Sequence, residues 1–177
     1  MNEKNVISFV IQELEKLGVI KKNLSTYDST VKLLREYPKL KESIIDRKEQ
    51  INDLERFGLS KSSKSITKIP DSSIRMEDDE IISNNINSLK QHIYRTEVVV
   101  RYIDKIVNKF KNDKYFDSIR LYFFEGKTNE QIADHFIKKY KKESILPETI
   151  RTNKNRLVRE MQTYFFPNDV ISEILGY

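Results

Sequence analysis

The stretch Ile82–Phe110, ISNNINSLKQHIYRTEVVVRYIDKIVNKF, places an apolar residue at alternating intervals of four and three positions. The repeat lasts about four heptads with one polar exception, Thr96, and predicts a long helix over about Met76–Asn112 with a single apolar seam. A helix of this length needs a partner that covers the seam. One candidate is Lys39–Phe57, folded back as an antiparallel hairpin. The other is a second copy of the chain, paired through the same 82–110 seam as a homodimer, and the two alternatives can coexist.

The sequence on either side of this repeat contains no persuasive strand pattern, so we predict an all-α protein. A break or kink is expected near Tyr37, because Pro38 interrupts the helical pattern there. The predicted parts are residues 1–26, an N-terminal amphipathic helix (about Glu3–Leu17) and linker; residues 27–112, a long helical hairpin or coiled coil with a flexible loop at 58–75; and residues 113–177, a C-terminal helical domain that ends in a short helix after Pro167.

Composition and motifs exclude several function classes. Cysteine is absent, so the chain has neither a disulfide framework nor a thiolate metal site. His92 and His135 lie in no motif, the acidic run Glu77–Glu80 lacks metal-loop spacing, and there is no glycine-rich phosphate loop. We therefore predict that the chain is not an enzyme and holds no cofactor or metal. It shows no signal peptide and no apolar run of about 20 residues, which predicts a cytoplasmic protein without a membrane partner.

The net charge of +5 is concentrated in one segment. Between Lys138 and Arg159, eight basic residues stand against two acidic ones, so the remainder of the chain is close to neutral. A basic segment on a near-neutral body favours a polyanionic partner such as double-stranded DNA. Charge alone gives equal weight to the alternative, in which these side chains form an ordinary solvated face.

The basic segment falls inside a predicted tri-helical unit over Lys114–Phe166. Gly126 is expected to end its first helix, and Thr128 with Gln131 forms a capping box at the start of the second. Ala133 is a small residue on the inner face of the second helix, so the following helix can cross it closely. The three helices are predicted at about Tyr115–Glu125, from Asn129 onward, and at about Pro147–Phe165.

The third of these helices has an apolar face and a polar face. At 100° per residue, Ile150, Leu157 and Met161 cluster on the inner side. The outer side carries Arg, Asn, Thr and Glu, which can contact base edges in the major groove of DNA. The N-terminal part of a recognition helix reads bases, so the predicted base contacts are Glu148, Arg151, Thr152 and Asn155. The predicted phosphate contacts are Thr128, Asn129, Lys138, Lys139, Lys141, Lys142, Lys154, Arg156 and Arg159.

Two stretches, Leu121–Phe136 (LYFFEGKTNEQIADHF) and Leu146–Met161 (LPETIRTNKNRLVREM), resemble the region-four helix-turn-helix of bacterial sigma factors. The wider layout resembles the ArpU/RinA-like regulators of phages and prophages in low-GC Gram-positive bacteria. That layout comprises LLREYPKLKESI (Leu33–Ile44), the serine-rich SKSSKSI (Ser60–Ile66) and a long helix that leads into YFFEG. The resemblance covers about Thr30–Phe166. It implies a DNA-binding transcriptional regulator, an activator of late phage genes for packaging and lysis.

The chain departs from the usual motif between the second and third helices. Ile132 lies 14 residues before Leu146, where the motif has about seven. Residues 137–145 must therefore lengthen the second helix or the turn, and their lysines are candidates for a wing on the phosphate backbone. Leu146 is a poor N-cap, so Ser144 is expected to cap the third helix.

The sequence leaves two alternatives to a sequence-specific DNA-binding regulator. One is a packaging factor similar to a phage small terminase subunit, which also joins a helix-turn-helix to an oligomerising helical region. The other is a sigma-like interaction protein, in which the coiled coil is the functional part and the basic domain grips an acidic protein such as RNA polymerase.

Overall fold

The computed structural model describes residues 3–20, 25–58, 78–141 and 144–167, and all regular elements in these ranges are helical. The predicted all-α class is confirmed. The described residues divide between two compact units, one from residues 1–39 and 98–177 and the other from residues 40–97. The helices are α1 (Glu3–Lys16), α2 (Thr26–Phe57), α3 (Asp78–Lys109), α4 (Phe116–Ile119) with a π-helical turn at Arg120–Phe124, α5 (Asn129–Tyr140) and α6 (Pro147–Phe165).

Of the break or kink predicted near Tyr37, the break does not occur, since α2 runs through Pro38 without interruption. Pro38 lacks the N–H that would continue the helical hydrogen bonds, but apolar neighbours hold the chain on both sides. Leu34 and Tyr37 are buried before it, and Leu40 is buried after it. The Tyr37 ring also lies 4.9 Å from the Phe124 ring. Tertiary packing therefore outweighs the local cost of the proline.

The apolar seam of α3 is buried at its positions from Ile93 to Val107 and only partly buried at Ile82, Ile86 and Leu89. In the unit formed by residues 40–97, Ile93 is buried, and Lys48 Nζ of α2 lies 3.0 Å from Glu97 Oε1 of α3. A Cβ placed on Gly58 would lie 3.6 Å from Ile82 Cδ1. As residue numbers rise along α2 the partner numbers fall along α3, so the helices pair antiparallel as the hairpin alternative predicts. The seam needs no second copy where it is already buried.

Thr96, the polar residue in the seam, is only 4% exposed. Its hydroxyl donates to the carbonyl oxygen of His92 at 2.9 Å, one turn earlier in the same helix. A buried hydroxyl costs little once it is hydrogen-bonded. The interruption of the repeat is therefore accommodated locally, and the helix continues through it.

The tri-helical unit is built around a small core. Tyr115 and Phe136 stack with ring centroids 5.7 Å apart, and Gly126 ends the first helix at φ +68°. Ala133, which is 3% exposed, stands where α5 meets α6. The sequence missed the π-helical turn, which lets both Leu121 and Phe123 be buried. The core cluster consists of Leu121, Ile132, Ala133, Phe136 and Ile150, with Tyr115, Tyr122 and Ile145 packed against it.

The extra residues between the second and third helices are used first to extend α5 as far as Tyr140. Lys141 then reverses the chain with a left-handed φ of +49°. The expected Ser144 cap is wrong: Leu146 occupies the N-cap position without a side-chain hydrogen bond, and Pro147 supplies the first residue. Proline has no N–H to satisfy at that position, which reduces the need for a cap. The bounds of α6 are the predicted ones.

Two predicted segments lie outside the described residues: most of the 58–75 loop and the short helix after Pro167. None of the helices within the described ranges has the length and apolar character needed to cross a bilayer.

Candidate nucleic-acid interface

The polar face of α6 stands open to solvent while its apolar face is fully enclosed. Ile150, Leu157 and Met161 are each 0% exposed, as the helical spacing predicts. On the opposite side Glu148, Arg151, Thr152 and Arg159 are exposed and Asn155 is half-buried. The structure therefore brings all four predicted base-contact residues to one surface.

This face of α6 lines a groove of about 660 Å³. Phe110 and Tyr164 also line it, with their rings edge-on at 5.7 Å. The sequence assigned Phe110 to the α3 seam and gave Tyr164 no role. Because α3 and α6 are distant in sequence, no local pattern marks the two aromatic residues as neighbours of the polar face. The lining residues are Phe110, Glu148, Arg151, Thr152, Asn155, Arg156, Arg159, Glu160, Thr163 and Tyr164.

The arginines of this face differ in how tightly they are held. Arg151 pairs with Glu148 at 3.1 Å, but both side chains are about 60% exposed, and such pairs contribute little. Arg156 is bound by two carboxylates, Asp113 at 2.8 Å and Glu160 at 2.7 Å. These hydrogen bonds, that of Asp113 first, raise the pKa of Arg156. Arg151 is therefore the freer guanidinium, and Arg156 must exchange partners before it can bind phosphate.

Lys154 was predicted to contact phosphate, and the structure shows that this is wrong. Its side chain is only 5% exposed, and Nζ lies 3.1 Å from Asn129 Oδ1. The ammonium also lies 3.1 Å from the centroid of the Tyr122 ring, a cation–π contact. The helical spacing explains the position, because Lys154 comes four residues after Ile150 and three before Leu157, on the buried face. Lys154 fastens α6 to the start of α5.

The environment of Lys154 disfavours its charged form. Burial, followed by the charges of Arg35 and Arg151, lowers the pKa of Lys154 from 10.5 to about 8. Asn129 accepts its hydrogen bond, so the Asn129 side chain also has a structural role beside the phosphate contact predicted for it.

The wild-type protein should gain stability relative to a Lys154→Met variant as the pH rises above 8. Between pH 8 and 10.5 the unfolded chain holds a proton on Lys154 that the folded chain has released, so the free energy of unfolding increases with pH. By pH 10 the relative gain should be about 2 kcal/mol, and below pH 8 it should vanish. Urea unfolding of both proteins at pH 7.5 and pH 10 measures it. A stability difference that does not change with pH would contradict the assignment.

The start of α5 is fixed as the capping box predicts. Gln131 N–H donates to Thr128 Oγ1 at 3.4 Å, and Thr128 N–H donates to Gln131 Oε1 at 3.1 Å. The hydroxyl of Thr128 is therefore used in the cap. The groups at this position that could bind a phosphate are therefore the first backbone N–H groups of α5, at the positive end of the helix dipole.

The lysines at the end of α5 are not equivalent. Lys138 and Lys141 are exposed, whereas Lys142 lies outside the described residues. Lys139 donates a hydrogen bond to Asp117 Oδ2, which raises the pKa of the lysine. Burial raises the pKa of Asp117, but that hydrogen bond and the charges of Lys139, Arg120 and His135 lower it by more. Lys139 is thus paired with Asp117.

No protein-family model, curated protein or solved structure matches the chain. Within the described ranges, no group of three or more His, Asp or Glu residues is placed to hold a metal ion. The features that bear on function are therefore the geometry and the exposed side chains of α5 and α6.

Proposed function

We propose that this chain binds double-stranded DNA in a sequence-specific way and regulates transcription, with α6 as the recognition helix. The observation that carries the proposal is that α6 is buried on one side only. Its apolar side is completely enclosed, while Arg151, Thr152 and Arg159 remain exposed on the other side. A single α-helix fits the major groove of B-form DNA, which presents a distinct pattern of donors and acceptors for each base pair.

The residue types on this face suit direct readout of bases. Arg151 can donate two hydrogen bonds to guanine, and Asn155 can bond adenine through its amide. Glu148 can accept from cytosine, and Thr152 can contact several base edges. These four residues belong to the first half of α6, the part of a recognition helix that usually enters the groove.

Phosphate contacts would hold α6 in register on the duplex. The start of α5 offers backbone N–H groups, while Lys138, Lys141 and Arg159 offer exposed cations. Within the described residues, Arg159 has no ion-pair partner, so it can bind phosphate without breaking a contact. Arg156 and Lys139 would have to exchange carboxylate for phosphate.

The resemblance to sigma region four and to ArpU/RinA-like regulators supports the regulatory part of the proposal. On that basis the chain activates late phage or prophage genes for packaging and lysis. A packaging factor related to the small terminase subunit, or a sigma-like partner of RNA polymerase, is the competing assignment.

Selection of bound duplexes from a genomic library with purified full-length protein tests the proposal. We expect enrichment of one sharp motif about the width of a major-groove contact, and a palindromic motif would report a two-fold symmetric complex. Enrichment without a motif would reduce the proposal to non-specific binding. Failure to shift any duplex at low salt would overturn it and favour a protein partner, and ring assembly in light scattering would favour packaging.

Arg151→Ala should weaken binding to the selected motif by about 1–3 kcal/mol and relax the preference at one base position. The physical reason is loss of a bidentate contact that only the correct base satisfies. Binding titrations on the motif and on its single-base variants measure both effects. Arg101→Ala, an exposed arginine of α3 that does not line the groove, is the control. Equal weakening on every sequence would show that Arg151 contacts only the backbone.

A further inference from the structure

A second pocket lies on the described surface, beside the start of α5, and it joins α2 to the tri-helical unit. It has a volume of about 570 Å³. Its two cations come from different elements: Arg35 from the first third of α2, and Lys127 from the turn before α5. Its lining residues are Arg35, Tyr122, Phe123, Gly126, Lys127, Thr128, Asn129 and Glu130.

The backbone that carries Arg35 is held against the tri-helical unit by contacts on both sides of it. Before Arg35, Thr26 Oγ1 accepts a hydrogen bond from Gln162 Nε2 at 2.6 Å. After Arg35, the Tyr37 ring packs at 4.9 Å from the Phe124 ring. The Arg35 side chain itself is exposed. Its position relative to α5 and α6 is therefore fixed by packing, and its guanidinium faces solvent.

Positive charge in this region is poorly compensated. Within the described residues, neither Arg35 nor Lys127 forms an ion pair or a side-chain hydrogen bond. Lys154, a residue only 5% exposed, contacts two lining residues of the pocket through its ammonium, and among the described residues its partners are the neutral side chains of Asn129 and Tyr122. The charge of Arg35 is one cause of the lowered pKa of Lys154. The mutual repulsion of these cations would be relieved by an anion bound in the pocket.

Glu130 is the one carboxylate that lines the pocket. Its hydrogen bonds, with Thr128 first and then with the backbone, lower its pKa, so it stays ionised at neutral pH. It stands at the second position of α5, where it favours the helix dipole. Its negative charge repels an incoming phosphate. Neutralising it in Glu130→Gln should therefore raise affinity, whereas removing a cation of the pocket should lower it.

We propose that this pocket binds a DNA backbone phosphate that flanks the bases read by α6, with Arg35 and Lys127 as its cationic ligands. The proposal rests on the proposed DNA-binding function. It extends the interface beyond the helix-turn-helix, because an arginine of α2 becomes part of the DNA contact. The first N–H groups of α5 lie beside the same pocket and add a positive dipole.

Arg35→Ala should reduce affinity for the selected motif about three- to tenfold at roughly 100 mM salt and lower the salt slope by about one, without a change in base preference. Arg35→Lys should keep most of the affinity, Glu130→Gln should raise it, and Arg101→Ala should leave it unchanged. Titrations of all five proteins on one duplex measure these effects, with thermal melts to confirm that each variant folds.

Replacing single phosphates of the duplex by neutral methylphosphonates locates the contact. The wild type should lose affinity at one flanking position, and Arg35→Ala should show no further loss at that position. Additive losses there, or an Arg35→Ala protein that binds like the wild type, would overturn the phosphate pocket. If Arg151→Ala still loses base preference in that case, the proposed function stands. A wild type that binds no duplex overturns both.

Discussion

The affinity of this protein for duplex DNA is expected to fall about a thousandfold between roughly 50 and 200 mM salt. Each cation that meets a phosphate displaces a condensed counterion, so the logarithm of the affinity decreases linearly with the logarithm of the salt concentration. With about six such contacts the slope is near −5. The candidates on the described surface are Arg35, Lys127, Lys138, Lys139, Lys141, Arg156 and Arg159.

The structure separates cations that should contribute to this slope from one that should not. Arg159→Gln removes an exposed guanidinium and should lower the slope by about one. Lys154→Met removes the same formal charge from a side chain that is 5% exposed, so the slope should remain unchanged. Fluorescence titrations at five salt concentrations compare the two variants with the wild type. A slope near zero for the wild type, or equal changes in the two variants, would contradict the proposed phosphate surface.

The sequence predicted the elements whose signals are local. The bounds of α6 follow from Pro147 at its first position and from the apolar stripe Ile150, Leu157 and Met161. The capping box of Thr128 and Gln131 is a pattern of four consecutive residues, and the structure reproduces it. The seam of α3 could be predicted because its apolar spacing repeats over many residues.

Two of the features that the sequence did not predict depend on contacts between distant parts of the chain. The helix survives Pro38 because Tyr37 packs on Phe124, a partner 87 positions later that no local pattern reveals. The phosphate contact predicted for Lys154 follows from its charge alone, whereas its spacing from Ile150 and Leu157 marks the buried face of α6. The pocket of Arg35 could not be predicted, since it depends on where α2 lies against α5.

Phe136→Ala should destabilise the tri-helical unit by about 3–5 kcal/mol and abolish specific DNA binding. Phe136 is 1% exposed at the centre of the core, and its ring stacks on Tyr115 at 5.7 Å and contacts Tyr140 at 5.4 Å. Truncation removes these contacts and leaves a cavity between the first helix of the unit and α5. Domains are commonly stable by only about 5–15 kcal/mol, so most of the margin would be lost.

Hydrogen exchange measured by mass spectrometry shows which helices lose stability in the Phe136→Ala protein. Peptides from α5 and α6 should exchange faster in the Phe136→Ala protein, while peptides from the described helical residues of the other compact unit, 40–57 and 78–97, should keep their protection. Phe57→Ala is the matched control: this phenylalanine is 77% exposed, so its removal should change stability by less than about 0.5 kcal/mol. If α5 and α6 remained protected without Phe136, another set of contacts would have to orient α6. Under the proposed function, base-pair discrimination depends on the orientation in which this core holds α6 and its exposed polar side chains.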